Sequence, residues 1–326
     1  MKFGVLVPQG WRLDLVDIQD PVEKYEAMTR VATEAERLGF ESAWLYDHFH
    51  TVPTPELESN FECWISTAAL ARDTSTIRIG QMVTCNSYRP PSLLAKMAST
   101  VDVLSHGRLD FGIGAGWYEH EYRAYGYDFP DGPERLKMLR EALQIIHAMW
   151  KDDYATFEGK YYQVSGAINE PKGVQKPHIP IWVGGGGEKV TLKLVAQYAD
   201  ACNIGGIDPD VYRHKFSVIK EHCENVGRDY ESIIRSAEVF TTLLRPGQSA
   251  EEATARTRAN LSKQVGHDVS LEEFQGNNFV GTPAEAVELY KSLEEAGVNY
   301  FIAYLNDVVH LETLKMFAEE VMPAFE

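Results

Sequence analysis

Eight short apolar runs, each followed by a stretch whose apolar residues keep helical spacing, constrain this chain more than any other feature. The runs are Phe3–Val7, Ser42–Tyr46, Ile77–Thr84, Leu109–Ile113, Ile179–Val183, Ala201–Ile204, Ser236–Leu243 and Asn299–Leu305. They are continuous rather than alternating, as expected of strands covered on both faces. In the first helical stretch Tyr25, Met28, Val31, Ala32, Ala35 and Leu38 keep a helical period, and Gly39 closes it. Repeated strand–helix units require parallel strands with right-handed crossovers. Eight of them in 326 residues predict a closed (β/α)8 TIM barrel of the α/β class rather than an open doubly wound sheet. No change of composition marks a second unit, so one domain over 1–326 is expected. Segment 246–280 is surplus to the count. With Ser249-Ala-Glu-Glu252 opening a polar helix, it reads as an insertion between the seventh strand and its helix. Segment 151–178 reads as loop, with a small strand near Tyr161, Tyr162 and Val164.

Barrels of this kind carry their active sites at the C-terminal ends of the strands. There the second strand runs into Asp47-His48-Phe49-His50, and the third into Thr84, Asn86, Tyr88 and Arg89. The fourth breaks into Gly114-Ala-Gly116 and then Trp117-Tyr118-Glu119. Small residues let a ligand approach the backbone, and the aromatic residues after them form a wall. This is not a dinucleotide fingerprint, because Trp117 stands where the third glycine belongs. Gly184-Gly185-Gly186-Gly187, between the fifth strand and its helix, is the best phosphate candidate: free N–H groups converge there and the helix dipole adds to them. No H-E-x-x-H, Cys cluster or G-x-S-x-G elbow occurs, so neither a metal site nor a serine nucleophile is expected. His48 directly follows a strand and an acid, placed to take or give one proton near neutral pH.

The net charge of -17 argues against nucleic acid and anionic membranes as partners, which leaves a small molecule. No apolar run approaches the ~20 residues of a membrane span, and the N-terminus has no signal-peptide core. Cys63, Cys85, Cys202 and Cys223 lie far apart and read as reduced thiols, so a cytoplasmic protein is expected.

Taken together, several motifs resemble those of the bacterial luciferase-like monooxygenase superfamily. They are Met1-Lys-Phe-Gly4, Asp47-His48-Phe49, Leu94-Ala-Lys-Met97, Asp102-x-Leu104-Ser-x-Gly-Arg108 and Gly112-x-Gly-Ala-Gly-Trp117. Glu121-x-x-Ala-Tyr-Gly126, Pro180-x-Trp-Val-Gly-Gly185 and Gly281-Thr-Pro283 continue the likeness. The family fold is a (β/α)8 barrel. Its members use reduced FMN with oxygen, or the deazaflavin coenzyme F420 with hydride transfer, and Tyr118 to Pro130 looks most like the F420-dependent branch. The resemblance implies an oxidoreductase moving hydride between F420 and a small organic substrate. The alternatives are an FMN monooxygenase fed by a separate reductase, or a flavin-binding protein without turnover. It places His48 at the reacting end of the ring or against the substrate, supported by Asp47, and a non-prolyl cis peptide at Gln81–Met82 against the ring face. Thr84, Asn86, Gly116 and Tyr118 would line the ring pocket, with Gly184 to Gly187 on the phosphate. Lys172, Lys176, His178 and Lys189 are the cations expected along the anionic tail of F420. Family members are often dimers, so a homodimer is also implied. The F420-dependent sugar-phosphate dehydrogenases carry a glutamate where this chain has Trp117, so their acid–base pair and substrate do not transfer.

Overall fold

The computed structural model describes residues 1–326. Eight strands pair in parallel: β1 (Lys2–Leu6), β2 (Ser42–Leu45), β3 (Arg78–Gln81), β4 (Leu109–Gly114), β5 (Ile181–Gly184), β6 (Ala201–Gly205), β7 (Ile234–Leu243) and β8 (Tyr300–Leu305). Each is bonded to the next, and β8 returns to β1 with Phe3 opposite Phe301, which closes the barrel. Outside run α1 (Pro21–Arg37), α2 (Cys63–Asp73), α3 (Pro91–Leu104), α4 (Gly132–Lys151), α5 (Thr191–Tyr198), α6 (Pro209–Val226), α7 (Pro283–Glu295) and the short α8 (Glu312–Met316). Several of them start at side chains that accept from otherwise orphaned amides. Asp20 takes Val22 and Glu23, Asp131 takes Glu134, and Thr282 and Glu285 form a reciprocal box. Such caps are worth about 1 kcal/mol each.

One large apolar layer lies between strands and helices, with Val5, Ala43, Ile79, Phe111 and Val183 facing outward from the sheet. The N-terminal end of the lumen is filled separately. Trp44 stacks edge-on against Trp182, which meets Tyr300. Trp44 Nε1 donates to Ser42 Oγ at 2.6 Å, and Arg78 forks onto Asp110 at 2.6 and 2.8 Å. This plug leaves the C-terminal end as the only open mouth of the barrel.

Three elements differ from the sequence expectation. Segment 151–178 contains an antiparallel hairpin, Ala155–Glu158 with Gln163–Ala167. Its turn is anchored by Glu141 of α4, which accepts the amides of Lys160, Tyr161 and Tyr162; local spacing cannot reveal so distant an acceptor. The third strand is interrupted, and Thr84–Cys85 resumes pairing opposite Ile113 and Gly114. The cis peptide in the interruption is Met82–Val83, one residue later than expected. Segment 246–280 carries a helix Ala250–Val265, a short helix Leu271–Gln275 and a strand Phe279–Gly281 that adds in parallel to β7.

The interruption sets local packing. Val83 points at three glycines: a Cβ on Gly114 would lie 2.7 Å from it, one on Gly184 2.9 Å and one on Gly112 3.2 Å. A Cβ on Gly112 would also meet the Gln81 carbonyl oxygen at 1.7 Å. The valine fits because β4 and β5 present bare backbone there.

Candidate active site

His48 lies just past β2, buried beneath Trp11, whose ring is parallel to its own at 5.4 Å, with Trp117 and Tyr118 edge-on. Its Nδ1 is 2.9 Å from Glu121 Oε2. Glu121 is wholly buried in the short helix Glu119–Ala124 and accepts three further bonds. These come from the Tyr88 hydroxyl at 2.7 Å and from the amides of Phe49 and His50 at 2.6 and 2.8 Å. Burial alone would push the Glu121 carboxyl up. The hydrogen bond and charge of His48, the His50 amide and the Tyr88 hydroxyl outweigh it and hold the group below its ordinary value. An ionised carboxylate only accepts, so Nδ1 carries the proton and Nε2, without a protein partner, is left to exchange one with a ligand.

Asp47 is placed differently from the expectation. It does not hold His48. Its carboxylate takes a two-pronged bond from Arg89 at 2.7 and 3.0 Å and the Cys85 amide at 2.9 Å. Arg89 bonds Glu62 as well, so Asp47 ties the end of β2 to the segment after β3. Asp47 still borders the cavity in front of His48, with its carboxylate turned to Arg89 and the Cys85 amide.

A cavity of about 220 Å³ opens in front of His48, lined among others by Met82, Val83, Thr84, Gly116, Trp117 and Tyr118. Four residues expected to line a ring pocket are therefore brought together: Met82, Thr84, Gly116 and Tyr118. Gly116 has a φ of +76°, and a Cβ there would lie 2.0 Å from the Tyr122 hydroxyl. The Tyr118 hydroxyl donates to the Pro53 carbonyl at 3.0 Å. Gln81 and Asn86 are not part of this wall. Gln81 points into the helix layer, donating to Thr67 Oγ1 at 3.0 Å, and Asn86 donates to the Tyr162 hydroxyl at 3.2 Å. Gln81 faces outward with Ile79, two residues earlier on β3, by the ordinary alternation of a strand, and Asn86 lies in the turn that follows Thr84–Cys85.

Trp11, which follows the first strand, lines the same cavity, as do Arg12 and Glu238, which were not singled out by sequence reasoning as site residues. Glu238 sits on β7, bonded by the Tyr46 hydroxyl and by Asn203 Nδ2, and burial raises its carboxyl above the ordinary range. Only its inward position on a barrel strand could have pointed to it. Beyond Arg12 and Phe240 a second cavity of about 410 Å³ runs under the helix Ala250–Val265.

The four glycines follow β5. The Gly185 amide is taken by the Asn203 carbonyl at 3.0 Å, while those of Gly186, Gly187, Glu188 and Lys189 have no acceptor. They form an exposed cradle of free donors ahead of α5. Three of the expected cations are elsewhere. Lys172, Lys176 and His178 precede β5 and so lie at the opposite end of the barrel; Lys172 is bonded to the Asp152 carbonyl and His178 to that of Ile179. Residues on either side of a strand are separated by its length, ~3.3 Å per residue. The cations beside the cradle come from Lys189 and from α6. Lys215 bonds Glu188 Oε1 at 2.5 Å and runs past Gly186, and His222 bonds the Glu188 carbonyl at 2.8 Å.

Residues 1–300 match the luciferase-like monooxygenase family. An F420-dependent glucose-6-phosphate dehydrogenase of Amycolatopsis mediterranei is 26% identical over 91% of this chain and 93% of its own. One from Gordonia bronchialis is 28% identical over 93% of each. Among solved structures, an F420-dependent secondary alcohol dehydrogenase in complex with an F420–acetone adduct superposes with a TM-score of 0.84. It covers 100% of this chain and 99% of its own at 22% identity, a likeness of fold.

Proposed function

The chain belongs to the luciferase-like monooxygenase family, and on that premise we propose that it is an F420-dependent oxidoreductase acting on a small organic substrate. The observation that carries the reading is His48, clamped through Nδ1 by Glu121 with Nε2 free in a cavity walled by the Met82–Val83 interruption. The full-length relatives named as F420-dependent dehydrogenases favour the deazaflavin over FMN.

The residues present fit such a cofactor. A phosphate suits the free amides of Gly186 to Lys189, and a flat ring suits bare backbone beside Val83. When bound, F420 supplies or accepts the hydride. The chain supplies the rest. His48 Nε2 takes the proton from a substrate hydroxyl, or returns it to a carbonyl oxygen in the reverse direction. Glu121 fixes the tautomer and stabilises the charged ring. The buried rings of Trp11 and Tyr118 exclude water around the exchange. Lys189 and Lys215 attract the anionic tail to a protein whose net charge would otherwise repel it.

Titration at low salt tests the cofactor. F420 is expected to bind more tightly than FMN, and the double charge reversal Lys189→Glu with Lys215→Glu to weaken F420 by ~10-fold or more. Tighter FMN binding together with an unaffected F420 titration would make the chain the oxygenating half of a two-component monooxygenase, fed by a separate reductase.

No helix is long and apolar enough to cross a membrane. The four cysteines are buried and unpaired, in keeping with the reducing cytoplasm we assign it. We also assign a homodimer. Ile65 on α2 and Leu93 on α3 are exposed apolar residues on adjoining helices, which suit contact with a second copy. Light scattering should give twice the chain mass, and Ile65→Asp should halve it; a monomeric wild type rejects the assignment.

A further inference from the structure

Arg12 follows β1 and stands where the two cavities meet, lining both. Its guanidinium lies over the rings of Trp11 at 4.5 Å and Phe240 at 5.4 Å. None of its five N–H groups has a hydrogen-bond partner in the protein, and Nε is sealed from solvent without one. The other well-buried arginines are all engaged. Arg78 holds Asp110, Arg89 holds Asp47, and Arg108 makes five bonds to backbone and Thr74.

The carboxyls facing Arg12 are committed elsewhere. Asp14 gives one oxygen to the Gly10 amide at 2.7 Å and the other to the Gln9 amide at 3.1 Å. Burial also raises its carboxyl to about 6. Glu238 has both oxygens on Tyr46 and Asn203. A guanidinium held against aromatic rings, with no protein partner and bordering two cavities, is a preorganised receptor for a two-oxygen anion.

The rest of the larger cavity mixes apolar side chains, Val52, Leu261 and Phe274 among them, with uncharged polar ones. Asn260, Gln264, Asn277, Asn278 and Asn306 supply amides, and Arg256, at the outer edge, is paired with Asp17. Amides match hydroxyl and carbonyl groups, which donate and accept in turn.

We infer that Arg12 anchors the substrate by an oxyanion, a carboxylate or a phosphoryl group, so that the substrate is an anionic, hydroxyl-bearing small molecule. Its charged end lies at Arg12, its polar body under the insertion, and its reacting carbon toward His48. The placement of the reacting carbon rests on the function proposed above; oxyanion binding at Arg12 does not.

Ligand-observed NMR on the cofactor-free protein separates the two. The probes are lactate against 1,2-propanediol, and glycerol 3-phosphate against glycerol, each pair sharing a carbon skeleton. At least one anion should bind ~10-fold or more tightly than its uncharged partner. Arg12→Gln should abolish that preference, and Arg256→Gln should retain it. The anion that shows the preference identifies the group. Equal binding of anion and diol, or a preference that survives Arg12→Gln, overturns the inference. F420 binding measured on the same samples reports on folding and on the proposed cofactor independently.

Discussion

His48→Ala is expected to lower turnover by ~100-fold or more, the usual scale for a lost general acid or base, while F420 affinity changes little. The ring has no structural duty that alanine would leave undone except its bond to Glu121, and it is stacked on Trp11 rather than wedged among aliphatic side chains. His48→Gln is the informative companion. Its amide can bond Glu121 but cannot relay a proton, so it should be as inactive as alanine. If either variant turns over a confirmed substrate at the wild-type rate, proton exchange occurs elsewhere in the cavity, whose other acids are Glu238 and the Arg89-bound Asp47.

The largest stability effect should come from Glu121→Ala. Four donors end on this one carboxylate: His48, Tyr88 and the amides of Phe49 and His50. Removing a buried charged partner that others are built around costs about 3–5 kcal/mol. Urea unfolding measures it, and a loss below ~1 kcal/mol would show that water replaces the carboxylate without difficulty. The pH dependence has a defined sign. The carboxyl is held below its ordinary value in the folded chain, so its contribution is complete above the unfolded value and is lost as pH falls through the folded one. Glu121→Gln, which has no proton to gain, should therefore show a shallower loss of stability on the acid side than the wild type.

The architecture was legible because eight apolar runs and their helix signals are local properties. The site was legible only in part. His48, Thr84, Gly116 and Tyr118 share one cavity because each follows a strand, and strand ends converge in a barrel. Glu121 was visible in a motif but not in its role, since nothing local says that a short helix after β4 delivers its carboxylate to a loop after β2. The resemblance set Asp47 beside His48, whereas its carboxylate is held by Arg89 and the Cys85 amide, partners that no local pattern reveals. Lys172, Lys176 and His178 were misplaced for a related reason: a strand of four residues puts its two flanks at opposite ends of the molecule. Arg12 and Glu238 lay outside any motif, and only the meeting of β1, β7 and the insertion gives them a common space.

Val83 and the three glycines it touches have a further consequence for how this protein can vary. The side chain and the three missing side chains are one shape divided among three strands, so none of the four positions can drift alone. A methyl gained at Gly114 or Gly184 is tolerable only in a lineage that has already trimmed the valine, and such double changes are rare in any population. Segment 246–280 is under no comparable restraint. Its amides meet the cavity from a helix packed outside the barrel, and each can be exchanged singly. Divergence toward new substrates, by natural descent or in the laboratory, therefore has an easy road through the insertion and a nearly closed one through the wall behind His48.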